Sequence, residues 1–111
     1  MYSVGDVLLM KFHPGFGSEL KKYRPALVIN MATELADPRF VLVVPITTQA
    51  PKRKHPLEIE LKHCPFLTKK SFALLWYPMT LDAQRVQHVL GNIPSRLQKD
   101  IQQRLSKMFV S

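Results

Sequence analysis

The sequence predicts a mainly β domain, an antiparallel barrel or sheet of about five strands with one helix packed on it. Three observations predict it. The runs Ala26-Leu27-Val28-Ile29 and Phe40-Val41-Leu42-Val43-Val44-Pro45-Ile46 are continuously apolar and rich in β-branched residues, as strands covered on both faces are. Leu57-Glu58-Ile59-Glu60-Leu61 alternates strictly, the mark of a half-exposed strand with Leu57, Ile59 and Leu61 inward. The C-terminal segment repeats its apolar residues at helical spacing.

Taken in order, Gly5-Asp6 is a turn, and Val7 to Phe12 follows as a strand broken in its apolar run only by Lys11. His13 to Tyr23 is a loop punctuated by Pro14, Gly15 and Gly17. It is longer than a hairpin needs, which suits a lid or binding loop. Pro25 fits the first position of the next strand, because it cannot donate to a ladder. Met31 to Arg39 reads as a loop, with Asp37-Pro38 as its turn signal. The strand from Phe40 ends at Thr47, and Gln49 to His55 is an exposed basic loop. Ser71 to Tyr77 reads as another strand, ended by Pro78. Leu81 to Leu90 is ambiguous between a short strand and a helical turn. In the C-terminal helix Leu97, Ile101, Leu105 and Met108 or Phe109 form one stripe. Pro94 suits its first turn and Asn92 its cap.

A chain of 111 residues is one domain. It can bury roughly two-thirds of its unfolded surface, enough for a core without staples. Cys64 has no second cysteine to pair with, which fits a reducing compartment. No apolar run approaches the ~20 residues of a membrane span, and Met1 to Asp6 lacks the basic start of a signal peptide. These point to the cytoplasm. The net charge of +8, from 16 Lys and Arg against 8 Asp and Glu, favours a polyanionic partner.

If the runs from Ala26 and Phe40 pair as antiparallel neighbours, Arg24 meets Thr47 at one edge of the sheet. A guanidinium and a hydroxyl there make a small oxyanion-binding pocket. The long loop brings Ser18, Glu19, Lys21 and Lys22 up to Arg24, and Lys52-Arg53-Lys54 is the densest cluster of charge. Both clusters could track phosphates. Phe16, in a Gly-rich loop, is the better candidate for stacking on a base. Trp76, at the end of a strand read as buried, suits the core or a dimer interface. No His or Cys spacing suits a metal site.

The ordered set of Gly5-Asp6-Val7, Pro14-Gly15-Phe16-Gly17-Ser18-Glu19, Arg24-Pro25-Ala26-Leu27-Val28-Ile29 and Val44-Pro45-Ile46-Thr47-Thr48-Gln49 resembles the MazF/PemK family of toxin endoribonucleases. Ser71 to Leu75 and Thr80 to Arg85 match too. The resemblance implies an SH3-like barrel with a C-terminal helix, a homodimer, and cleavage of single-stranded RNA without metal or cofactor. It also implies inhibition by an acidic antitoxin, with DNA binding through that complex. Arg24 and Thr47 fall on the catalytic positions, and Ser18 and Glu19 on RNA-contacting ones; Thr48 and Gln49 continue the Thr47 motif. One stretch departs. Where the family carries an acid-Gln-x-Arg run, this chain has Trp76-Tyr77-Pro78-Met79. A mechanism that needs that acid, with an arginine at the place of Leu74, cannot run here.

Cleavage through the substrate's own 2′-hydroxyl builds negative charge on phosphoryl oxygens. A fixed guanidinium stabilises that charge better than an ammonium does. Thr47 is a poor base and serves better as a positioning donor. The proton-transfer group is open: His13 titrates near neutrality, and Glu19 is the next candidate. Two other readings stand beside the nuclease. One is a barrel that binds RNA or an acidic partner without cutting. The other is a gyrase poison of the same superfamily, which has no use for a phosphate-cleaving pocket.

Overall fold

A computed structural model of the chain describes residues 2–12, 23–51 and 55–108. Among these run β1 (Asp6–Lys11), β2 (Tyr23–Asn30), α1 (Ala32–Ala36), β3 (Phe40–Thr47), β4 (Glu58–Glu60), β5 (Phe72–Leu74), β6 (Met79–Asp82), β7 (Val86–Asn92) and α2 (Ser95–Met108). The strands form one antiparallel sheet in the order β4-β5-β3-β2-β1-β7. β3 is long enough to serve two partners on its second edge. Phe40 to Val43 pair with β6, and Ile46 and Thr47 pair with β5.

The central strands are apolar on both faces because both faces are covered. Val7, Leu27, Val44 and Ala73 point to one side, where Ile101 and Leu105 of α2 close a core with Ile59, Leu61 and Leu75. Their neighbours Leu8, Val28 and Val43 point to the other side and pack with Met10, Ala26 and Val41, beside Met79, Leu81 and Val86. Alternation along each strand therefore divides one apolar run between two cores. The prediction that Ala26 to Ile29 is a doubly covered central strand holds: all four residues are buried.

Five departures from the sequence reading have physical causes. The sheet has seven strands rather than five, because the ambiguous Leu81 to Leu90 stretch and its flanks become β6 and β7, joined by a 3-10 turn at Ala83–Arg85. Backbone pairing to β3 and β1 defines them, not an apolar pattern of their own. The loop after β2 holds the short helix α1, whose Glu34 is buried and accepts the Tyr2 N–H at 3.1 and 3.3 Å. Pro25 is not the first residue of its strand: β2 begins at Tyr23, and Pro25 lies opposite Leu9. The strand expected over Ser71 to Tyr77 stops at Leu74, where the chain turns. Asn92 does not cap α2. Its side chain accepts from Gln98 Nε2 and donates to the Val4 carbonyl and to Asp6, while the Pro94 carbonyl accepts the Gln98 backbone N–H.

That polar knot fastens α2 to the start of β1 at Gly5. Gly5 has φ +90°, its N–H bonds to the Val28 carbonyl and its carbonyl accepts from Ile93. The positive φ is what favours glycine here; a Cβ would also stand 2.6 Å from Gln98 Nε2, which the glutamine side chain would have to move to accommodate.

Candidate phosphate-binding rim and its aromatic neighbour

The site forms where the β2–β3 ladder stops. Ala26 pairs with Pro45, Leu27 with Val44 and Val28 with Val43. Pro25 and Pro45 carry no N–H to extend that ladder, although β2 stays paired to β1 as far as Tyr23. Continued by two residues at the same register, that ladder would set Arg24 opposite Thr47.

The two residues also share a face. Ala26, two residues from Arg24, belongs to the core away from α2, as does Met10, the β1 partner of Arg24. Ile46, one residue before Thr47, points into the core under α2, so Thr47 points the other way. Cross-strand pairs lie on one face, and Thr47 pairs with Phe72, which pairs with Glu60. Two sets of paired residues therefore face the same way, Met10 with Arg24 and Thr47 with Phe72 and Glu60.

Two polar details define what this rim can do. Arg24 is half-buried, and its Nε is buried without a hydrogen-bond partner. Among the described residues no carboxylate forms an ion pair with it. An unpaired buried donor costs about 1–3 kcal/mol, and an anion with two oxygens is what a guanidinium edge accommodates best. Thr47 Oγ1 accepts the Gln49 backbone N–H at 3.1 Å. This holds the hydroxyl in place and leaves its proton to donate. Thr48 and Gln49 are exposed beside it.

Of the other residues singled out in the sequence, His13, Phe16, Ser18, Glu19, Lys21, Lys22, Lys52, Arg53 and Lys54 lie outside the described residues. His55 is exposed, and its Nδ1 accepts the Leu57 N–H at 3.0 Å, a local loop bond. Cys64 is buried, which pushes its thiol pKa up. Two cations that sequence reasoning passed over stand at the same end of the sheet as Arg24. Lys11 is exposed and pairs with Tyr23, and Arg85 donates to the Lys11 carbonyl at 3.3 Å. Only the β1 register brings them there, so no local pattern could have found them.

Of the two places expected of Trp76, the core or a dimer interface, it does not lie in the core. It is 45% exposed, with Tyr77 at 38% beside it. The two rings lie 5.4 Å apart at 38°, and Trp76 Nε1 donates to Glu58 Oε2 at 2.7 Å. A groove of about 810 Å³ runs between β4 and α2, lined by Glu58, Glu60 and Phe72 as well as Leu97 and Arg104.

The sequence profile of the PemK-like, MazF-like toxins of type II toxin–antitoxin systems matches residues 3–109. The chain belongs to this family. Among curated relatives, it is 32% identical over 98 residues to the endoribonuclease MazF of Staphylococcus saprophyticus, covering 87% of this chain and 82% of that protein. Among solved structures, MazF from Deinococcus radiodurans superimposes with a TM-score of 0.74 at 21% identity, over 99% of this chain and 97% of that one. A mycobacterial endoribonuclease in complex with its cognate antitoxin gives 0.71 at 19% identity, over 93% and 89%. At those identities the structural likeness speaks for the fold. Trp76 and Tyr77, in the stretch where the family resemblance leads one to expect an acid-Gln-x-Arg run, form the exposed aromatic corner just described.

Proposed function

We propose that this toxin is an endoribonuclease that cuts single-stranded RNA in the cytoplasm by metal-independent transesterification, with Arg24 and Thr47 as its catalytic residues. The observation that carries the reading is the buried, unpartnered Nε of Arg24 on the sheet face that Thr47 shares. In the reaction the 2′-oxygen bonds to phosphorus and loses its proton, while the bond to the 5′-oxygen breaks and that oxygen gains one. The products are a 2′,3′-cyclic phosphate and a 5′-hydroxyl. Arg24 donates to the non-bridging oxygens as they gain charge. Thr47 donates to the same phosphate and keeps it aligned. His13 and Glu19 are the candidates for moving the proton, and Ser18, Lys21, Lys22, Thr48, Gln49 and Lys52 to Lys54 for holding the strand. The net charge of +8 suits that strand.

The Staphylococcus relative is named an endoribonuclease, which supports this activity. The mycobacterial structure, an endoribonuclease bound to its cognate antitoxin, supports an antitoxin as partner, and the net charge of +8 suits an acidic one. A homodimer completes the reading.

Sequencing of 5′-hydroxyl ends from RNA exposed to purified protein tests it. Ends above the level of an Arg24→Ala control are expected, clustered at a short motif. A second reading, a barrel that binds RNA or antitoxin without cutting, is favoured by the loss of the acid-Gln-x-Arg run. It takes over if no such ends appear.

A further inference from the structure

At the end of the sheet that holds Arg24, the strands β7, β1 and β2 stand side by side. Val86, Met10 and Arg24 form one row across them, and Met10 and Val86 pack into the core away from α2. One residue further out, at the rim, come Arg85, Lys11 and Tyr23. Arg85 ends the 3-10 turn that leads into β7, and its Nη1 donates to the Lys11 carbonyl at 3.3 Å. A guanidinium has five N–H donors, so this bond fastens the group to the end of β1 and leaves most of its donors unused. Lys11 is exposed and Arg85 half-buried. The described carboxylate on these three strands, Asp6, lies at the opposite end, across from Asn92. Asp82, which precedes the turn, accepts the Gln84 N–H and caps it. Lys11, Arg24 and Arg85 thus share one end of the sheet, and no described carboxylate forms an ion pair with any of them. Like charges held together repel one another, a cost that a bound anion removes.

Resting on the nuclease reading and deepening it, we propose that Arg85 and Lys11 hold a flanking backbone phosphate of the RNA strand that is cut at Arg24 and Thr47. Two strand spacings, about 10 Å, separate β7 from β2. At 3.4 Å per stacked nucleotide that is about three nucleotides along the strand. Alternation turns Lys11 to the side opposite Arg24, so a strand that reaches both crosses the rim of the sheet instead of running along one face. The bond to the Lys11 carbonyl holds the Arg85 guanidinium in place before the strand arrives, and its free edge suits two phosphate oxygens. Such a contact sets the path and register of the strand and reads no base. A second copy docked on this end through its own like end would bring cation to cation, whereas a strand brings a row of phosphates.

The experiment measures how the affinity of the full-length protein for a 2′-O-methylated oligoribonucleotide falls with salt. That RNA has no attacking hydroxyl and stays whole. Each phosphate contact to a single strand adds about 0.7 to the slope of log K against log salt. Arg85→Gln is expected to lower the slope by about that amount and to bind about fivefold more weakly at 0.1 M salt. Arg85→Lys, which keeps the charge, is expected to keep the slope. Lys11→Gln, at an exposed position, is expected to lower it as well, and keeps the test open should Arg85→Gln fail to fold. On cleavable RNA, Arg85→Gln should raise KM and leave kcat near its original value. An unchanged slope in both glutamine variants would overturn the proposal. So would equal losses in Arg85→Gln and Arg85→Lys with a matching fall in Tm, which would mean that Arg85 only caps β1. Unchanged RNA binding with weakened binding of polyglutamate would overturn it in favour of an acidic protein at this rim. The two readings fail separately. Cleavage to 5′-hydroxyl ends with an unmoved slope removes the flanking contact and keeps the nuclease, whereas a lowered slope without such ends keeps a phosphate-holding rim on a barrel that does not cut.

Discussion

On the α2 side of the sheet, Ile46, Ala73 and Ile59 stand beside one another on adjacent strands and close against Ile101 and Leu105. One residue further along the same strands, on the opposite face, stand Thr47, Phe72 and Glu60, on the face that Arg24 shares. The first row is apolar and sealed. The second holds a hydroxyl with a free proton, on the face of a guanidinium with an unpaired nitrogen. A step of one residue in a pleated strand thus separates what holds the barrel together from what it presents to a ligand. Although the second face carries its own core further along the sheet, the sealed row and the row that holds Thr47 lie one residue apart, so substitutions in the two should move stability or chemistry separately.

The largest effect should come from the sealed face. Ile101→Ala leaves a cavity between α2 and the sheet and should cost about 2–5 kcal/mol of stability in urea unfolding. Cleavage per folded molecule should stay as before. The mirror-image change is Arg24→Ala, which should raise the barrier by about 2.7–4 kcal/mol, a loss of roughly 10²–10³ in rate. Its Tm should not fall, because Arg24 Nε makes no hydrogen bond to lose. A large drop in Tm for this variant would mean that the guanidinium is structural, and the contrast between the faces would go with it. Thr47→Val keeps shape and removes the donor. A single hydrogen bond of ~0.5–1.5 kcal/mol is at stake, so single-turnover rates should fall by roughly an order of magnitude or less, and Thr47→Ser should restore them.

The smallest effect lies away from both faces. Hydrogen bonds from the Arg39 side chain, and then from its backbone N–H, lower the Asp37 pKa from 3.8 to about 2. A carboxyl with a depressed folded-state pKa adds stability above its unfolded value and loses it as pH falls through the folded one. The contribution of Asp37 should therefore fade between about pH 4 and pH 2. Asp37→Asn should flatten that part of the acid unfolding curve and leave cleavage at neutral pH unchanged. The pair is exposed, so the change should be slight.

How much of this could be read from the residues differs from element to element. β2, β3 and α2 declare themselves, because a central strand must be apolar throughout and a covering helix must carry a stripe. The antiparallel pairing of β2 with β3 follows from two such runs in succession. β6 and β7 do not declare themselves. Along β7 residues 87–89 are all exposed, and the strand exists because β1 offers it backbone partners. The five residues of α1 carry no side-chain cap and are held by Glu34 on the Tyr2 N–H, a contact between distant parts of the chain. Leu74-Leu75-Trp76-Tyr77 misled for another reason. Composition cannot tell an apolar run that continues a strand from one that turns outward after Leu75, and here Leu75 is buried while Trp76 is exposed.

By itself the amino-acid order determined the strand-rich class and the helix that covers it, since periodicity and apolar runs are local properties. Tertiary structure alone decided the seven-strand count, the unpaired state of the Arg24 Nε and the outward turn of the indole onto Glu58. Each of these depends on what arrives from elsewhere in the chain to pair, bury or expose a group, and no local window of sequence contains that partner.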